Sequence, residues 1–320
     1  MPESATLEVL VAGRRDEAED IISLELVALN GAPLPPFEAG AHIDVFLREN
    51  LVRQYSICSD PRVLSTYVLG VLREKQSRGG SNAIHDDLIV GKRIRIGYPR
   101  NKFRLSEDAT HSIFAAGGIG ITPIVAMAWR LFELDASFEI HYCTRSLGRT
   151  AFGSALRRTA YADRLHLHLD DGPEMQRFIP DRHLADPQTG KHLYVCGPLG
   201  FMNYIFDAAS RHGWAERNIH REYFSTEVDL AGTRFSVRAA RSGITVEIPS
   251  DKTIAEVLME NGVNVPLSCE SGVCGTCLTT VLQGVPDHRD MFQTLDEKAS
   301  NKQMTLCCSR AKSSLLVLDL

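Results

Sequence analysis

No apolar run in this 320-residue chain approaches the roughly 18 residues that cross a bilayer as a helix. Nor does a basic stretch followed by an apolar one open it, as a secretory leader would. The sequence therefore predicts a cytoplasmic protein. Neither sign of charge is in large excess: 35 Lys and Arg stand against 40 Asp and Glu, a net charge of -5. Such a balance gives no reason to expect nucleic acid or an anionic membrane as a partner. Internal repeats and low-complexity segments are absent too. The 11 histidines contain no H-E-x-x-H motif, and no Cys-x-His pair of the Rieske kind occurs. Any oxygen chemistry must then belong to a partner.

What is present is a concentration of cysteine near the C-terminus. Cys269, Cys274 and Cys277 follow a C-x4-C-x2-C spacing, and a further cysteine arrives 30 residues later at Cys307, next to Cys308. Three thiolates on one loop and a fourth from far along the chain is the arrangement that wraps a [2Fe-2S] cluster. Small residues between them (Ser271, Gly272, Gly275, Thr276) let the backbone curl and turn its N-H groups toward sulfur. Structural zinc is the competing reading, but zinc sites usually take two short pairs of ligands. Spacing leaves open whether Cys307 or Cys308 is the fourth ligand. The other cysteines, Cys58, Cys143 and Cys196, lie in apolar stretches, which suits a reducing compartment.

The chain before this loop changes rhythm once. Short apolar or alternating segments at 7–11, 21–26, 42–47, 54–58, 67–72 and 93–96, separated by Pro- and Gly-rich turns, predict an antiparallel barrel over residues 1–104. Within it, Arg53 and Tyr55 share one strand face beside Ser56, a set able to stack on a flat ring and grip its phosphate. Arg78-Gly79-Gly80-Ser81 opens a helix that Ser81 could cap, and exposed N-H groups there would suit an anion. Each of these could equally be an ordinary strand face or helix end.

Residues 105–227 instead read as strand, glycine turn, helix and strand in a parallel sheet. Gly117, Gly118, Gly120, Thr122 and Pro123 form the turn after the first strand, and glycines there allow a dinucleotide pyrophosphate to approach the backbone. Arg145, Asp171 and the run Cys196-Gly197-Pro198 fall at the carboxyl ends of later strands, where ligands of open parallel sheets bind. An arginine at the adenosine end favours a 2'-phosphate and a carboxylate opposes one, so Arg145 and Asp171 pull in opposite directions. A polar linker at 228–233 leads to a hairpin, a helix over 253–261 capped by Asp251 or Thr253, the cysteine loop and closing strands at 234–320.

In this order the blocks resemble the phthalate dioxygenase reductase family of flavin-dependent electron-transfer proteins, over essentially the whole chain. The marks are Arg53-Gln54-Tyr55-Ser56, Arg78-Gly79-Gly80-Ser81, Tyr98-Pro99-Arg100-Asn101-Lys102-Phe103, the turn from Gly117 to Pro123, Cys196-Gly197-Pro198 and the terminal cysteines. The resemblance implies a multidomain fold of α/β and β type: an antiparallel flavin-binding β-barrel, a parallel-sheet NAD-binding domain and a C-terminal plant-type ferredoxin domain, β-grasp-like. It implies FMN, lined by Arg53, Tyr55 and Ser56 with Gly80 and Ser81 on the phosphate side. It places Ser56, Cys196 and Phe224 at the point of hydride transfer, Cys196 near the nicotinamide and Phe224 near the flavin. The ending Cys307-Cys308-Ser309-Arg310 is similar to the family's Cys-x-Ser-Arg, which makes Cys307 the ligand. The implied activity is an NADH-dependent reductase that passes single electrons to a Rieske-type terminal oxygenase. A reductase for a haem monooxygenase, or a zinc-binding module without turnover, are the alternatives.

Overall fold

Alternating apolar and polar residues make half-buried strands, and the N-terminal part of the chain is built from six of them. They are β1 (Thr6–Ala18), β2 (Ile21–Ala28), β3 (Ala41–Arg48), β4 (Leu51–Ser56), β5 (Tyr67–Leu72) and β6 (Arg93–Gly97), with α1 (Gly80–Asp87) between the last two and the short β7 (Arg100–Asn101) after them. The computed structural model describes residues 6–48, 51–75, 79–224 and 228–320. The strands run in the order β4-β3-β6-β1-β2-β5, with β7 beside β3. A bridge between Ile57 and Leu69 joins the two ends of this sheet, so it closes as the expected barrel. β1 is longer than its apolar run because register shifts at Val11/Gly13 and Asp16/Ala18 bend it around the barrel.

The parallel sheet that follows takes the order β10-β9-β8-β11-β12, from β8 (His111–Gly117), β9 (Phe138–Thr144), β10 (Leu165–Leu169), β11 (Lys191–Cys196) and β12 (Ile219–Glu222). Its crossovers carry α2 (Ile121–Glu133), the single turns α3 (Gly153–Leu156) and α4 (Pro180–His183), and α5 (Leu199–Arg211). β8 and β11 are central and buried along most of their length, hence their nearly continuous apolar sequences. Barrel and sheet share one hydrophobic core, running from Val9 and Leu24 through Phe103 and Phe114 to Tyr194. Accordingly Met1–Glu222 is a single compact unit, and Tyr223–Leu320 is a second.

In that second unit β13 (Phe235–Ala239), β14 (Ile244–Ile248), α6 (Ile254–Glu260), β15 (Leu278–Gln283), β16 (Pro286–Asp287), α7 (Leu295–Ser300), β17 (Gln303–Thr305), β18 (Arg310–Ala311) and β19 (Leu315–Leu318) follow in turn. The sheet order is β14-β13-β19-β15-β17, with β19 parallel to β13, a mixed sheet covered by α6. Thr253 caps α6 in a reciprocal capping box with Glu256. For α1 the expectation fails: its cap is Gly79, at φ 89°, and the Ser81 hydroxyl instead accepts from the Glu74 N-H at 3.1 Å. No helix among the described residues is long and apolar enough to cross a membrane.

Arg310 ties the second unit together from inside. It is only 2% exposed, donates to the carbonyls of Lys252 (3.3 Å), Thr233 (3.1 Å) and Pro249 (3.0 Å), and lies over the Phe235 ring. Truncating it removes the donor from three part-buried carbonyls, at about 1 kcal/mol each, together with its packing on Phe235. Arg310→Ala should therefore destabilise this unit by roughly 3–5 kcal/mol. The expected outcome is a lower urea midpoint for loss of visible cluster absorbance; an unmoved midpoint would contradict it.

Candidate active site and cluster loop

The order of the parallel sheet reverses between β8 and β11, and there the two glycine-bearing turns meet. A Cβ on Gly120 would stand 2.2 Å from the Cys196 carbonyl oxygen and 2.7 Å from the Gly197 nitrogen, so only glycine lets the backbones pass. The resulting crevice lies outside the carboxyl ends of the strands with the N-terminus of α2 at its floor, favourable to a pyrophosphate. Thr122 is buried in the first turn of α2 and donates to the Ile119 carbonyl at 3.0 Å; Pro123 follows it. Gly117, Gly118, Gly120, Thr122, Pro123, Cys196, Gly197 and Pro198 are thus gathered at this switch point. Farther along the same sheet edge, Asp170 N-H donates to the Thr144 carbonyl and Asp171 N-H to that of Arg145. The side chains of Arg145 and Asp171 stay exposed on adjoining turns.

On the barrel side β4 presents Arg53, Tyr55 and Ser56, opposite Val45, Ile43 and His42 of β3. Burial pushes the Tyr55 phenol well above its ordinary range, so it stays a neutral hydroxyl. The Arg53 stem crosses the start of α1: a Cβ on Gly80 would lie 2.4 Å from Arg53 Cγ and 2.8 Å from Nε. A guanidinium and the first N-H groups of a helix are thereby placed together, a cradle for phosphate. Arg78 lies outside the described residues.

Barrel and sheet meet at a pair of polar side chains. Ser56 Oγ donates to Glu222 Oε2 at 3.3 Å, and Glu222, last residue of β12, pairs in register with Cys196 of β11. Burial raises the Glu222 carboxyl from 4.5 to about 8, only partly offset by the Ser56 hydrogen bond. Burial also drives the Cys196 thiol well above its usual range, with Glu222 adding to the effect. A proton-bearing carboxyl, a hydroxyl and a thiol thus share one desolvated corner. Glu222 is the residue that sequence reasoning missed; its signal was an acid at the carboxyl end of a parallel strand, in Arg221-Glu222-Tyr223. Phe224 belongs to the second unit and is 40% exposed.

The second unit gathers its sulfurs. Cys269 faces Cys274 and Cys307, and Cys307 also faces Cys277. Backbone N-H groups of Ser271 and Val273 approach Cys269 Sγ at 3.5 and 3.4 Å, and that of Thr276 approaches Cys274 Sγ at 3.4 Å. Such donors stabilise negative charge on sulfur, and with four converging thiols they fit a [2Fe-2S] cluster. Gly275, at φ 74°, packs where a Cβ would strike the Phe292 ring at 2.3 Å. Cys308 also lies against Cys307, and its Sγ is 3.2 Å from Thr305 Oγ1.

A glycine-walled nucleotide crevice against a barrel, in one chain with a cluster loop, defines an iron-sulfur oxidoreductase. Residues 237–312 match the family of 2Fe-2S iron-sulfur cluster binding domains. The chain is 49% identical to the vanillate O-demethylase oxidoreductase of Pseudomonas sp. over 316 residues, 98% of this chain and 100% of that one. It is similar to the solved phthalate dioxygenase reductase, described as a modular structure for electron transfer from pyridine nucleotides to [2Fe-2S]. That likeness has 39% identity and a TM-score of 0.78, over 99% of this chain and 98% of that one. It is also similar to part of an intact type IV self-sufficient cytochrome P450 monooxygenase, with 38% identity and a TM-score of 0.82; there it covers 98% of this chain but 41% of the other. The chain belongs to the phthalate dioxygenase reductase family.

The raised Glu222 carboxyl has a measurable consequence. Folded, it keeps its proton up to about pH 8, whereas unfolded it releases it near 4.5. The native state therefore binds more protons in this window, and stability falls as pH rises through it. Glu222→Gln is neutral throughout and escapes that loss. Between about pH 6 and about pH 8 the wild type should lose about 2 kcal/mol relative to the variant in urea denaturation. A pH-independent difference would show that Glu222 is already ionised.

Proposed function

We propose that this chain takes a hydride from NADH onto FMN and passes the electrons singly through a [2Fe-2S] cluster to a separate Rieske-type terminal oxygenase. The observation that carries this is the pairing, in one chain, of a dinucleotide crevice opening on the barrel with four converging cysteines. Residues 1–104 hold the flavin and 105–227 the nucleotide; 228–233 link them to the cluster domain at 234–320. The protein acts in the cytoplasm. When bound, the flavin accepts two electrons together and releases them one at a time to a cluster that carries one.

The chain's own residues bind, orient and seal. Arg53, with Arg78, Gly80 and Ser81, anchors the FMN phosphate, while Tyr55 and Ser56 lie along the ring. Gly117, Gly118, Gly120, Thr122, Pro123, Gly197 and Pro198 let the nucleotide pyrophosphate reach backbone N-H groups. Cys196 backs the nicotinamide. Ser56 and Glu222 keep the transfer point dry but supplied with a protonated group. Cys269, Cys274, Cys277 and Cys307 hold the cluster.

The named relatives suggest the partner's chemistry: an oxygenase that removes a methyl group from vanillate or a similar methoxybenzoate. A haem monooxygenase as acceptor is the second reading, favoured by likeness to the reductase-sized part of a P450 chain. Vanillate-dependent NADH consumption with each separately purified acceptor decides between them. In that assay Cys274→Ser should abolish demethylation while NADH still reduces the flavin at nearly the wild-type rate by stopped flow; parallel loss of both would refute the order of carriers.

Nucleotide preference rests on the exposed pair at the sheet edge. Asp171 repels a 2'-phosphate at fixed position, whereas the flexible Arg145 can be satisfied by the pyrophosphate or by solvent. NADH should therefore give the higher kcat/KM. Asp171→Asn should narrow the preference, by roughly tenfold for one lost repulsion of about 1.4 kcal/mol. A wild-type kcat/KM for NADPH equal to or above that for NADH would mean that Arg145 governs.

A further inference from the structure

A cluster of histidines on the parallel sheet takes no part in nucleotide, flavin or cluster binding. His141 stands on β9 and His168 on the neighbouring β10, both buried; His183 is the last residue of α4. One ring nitrogen from each lies within 4.8 Å of the others. The ring nitrogens are oriented in a common sense. His168 Nδ1 donates to the Gln176 carbonyl at 2.7 Å, and His183 Nδ1 to the Ile179 carbonyl at 2.8 Å, closer than the 3.3 Å approach of the Ile179 N-H. His141 turns Nε2 toward the Glu139 carboxylate, at 3.4 Å, and that buried nitrogen has no closer partner. Each outer nitrogen thus faces an acceptor, and the inner ones converge, with His141 Nδ1 2.9 Å from His168 Nε2.

A carbonyl cannot donate, so the outer nitrogens of His168 and His183 carry hydrogens and their inner ones offer lone pairs. With the His141 hydrogen on Nε2 toward Glu139, its Nδ1 lone pair points at that of His168, a contact relieved by a shared proton or by a cation between them. Imidazoles whose far N-H groups are fixed by carbonyls and a carboxylate are the arrangement found behind metal-ligating histidines. Phe178, stacked on His183 with centroids 4.8 Å apart and also against His141, holds the rings in place.

We propose that His141, His168 and His183 form a site for one d-block dication of the zinc type, bound through His141 Nδ1 and the Nε2 atoms of His168 and His183, with water as fourth ligand. Three neutral imidazoles suit such an ion, with metal-nitrogen distances of about 2.0–2.1 Å. The ion ties α4 to β9 and β10 and stiffens the segment from Asp170 to Ile179 that joins β10 to α4. It has no part in hydride or electron transfer.

The test is calorimetric titration of zinc into the full, cluster-loaded chain, with iron and sulfide assayed before and after so that exchange into the cysteine loop appears as iron release. One equivalent should bind with iron retained, raising the thermal midpoint. Glu139→Gln should weaken binding by about 10–100-fold. His183→Ala, on a partly exposed single turn, should weaken it at least as much; should that variant misfold, Glu139→Gln carries the comparison. An anomalous peak at the zinc edge, among the three inner nitrogens of zinc-soaked crystals, completes the support. The proposal is overturned by zinc uptake that only displaces iron, by the absence of binding, or by affinities unchanged in both variants.

Discussion

The close pass of two backbones at the switch point of the parallel sheet is the constraint on which the active unit depends. Gly120 reaches the Cys196 carbonyl with no space for a β-carbon. That approach fixes the separation of the carboxyl ends of β8 and β11, and with it where α2 begins and where its N-terminus points. It also sets the position of Cys196 beside β12, and so brings Glu222 to Ser56 on the barrel. A side chain at 120 would push the two turns apart and move every group at the meeting of barrel and sheet.

The cluster unit obeys an analogous rule by other means. Its loop turns N-H groups inward onto sulfur, which requires left-handed backbone at Glu270, Gly272 and Gly275. Such a loop holds little apolar surface of its own. Its support comes from elements distant in sequence: Phe292 beneath Gly275, Cys308 beneath Gly272, and Arg310 reaching from β18 to three carbonyls.

Much of this was legible in the chain because it rests on spacing and period. The cysteine pattern, the glycine turn after a buried apolar strand and the shift from alternating to continuous apolar segments are local signals, and the barrel, parallel sheet and mixed sheet follow them. What escaped depends on contacts between distant segments. Glu222 owes its desolvation to Ser56, 166 positions away, and no local pattern marks a carboxyl as dry. Ser81 looked like a helix cap, yet the cap is Gly79, two residues earlier, and α1 begins at Gly80 with the Arg53 stem close over it. The histidines of β9, β10 and α4 were invisible as a group, since 27 positions separate the first two and their alignment is a matter of strand register.

Because the crevice is walled by main chain at Gly117, Gly120 and Gly197, its shape is held in common by any sequence that keeps those glycines. Drift in neighbouring side chains leaves it untouched. The exposed rim at Arg145 and Asp171 is different, because a substitution there alters charge without disturbing packing. Shape here is a property of the main chain and charge a property of the rim, so the two can be altered separately.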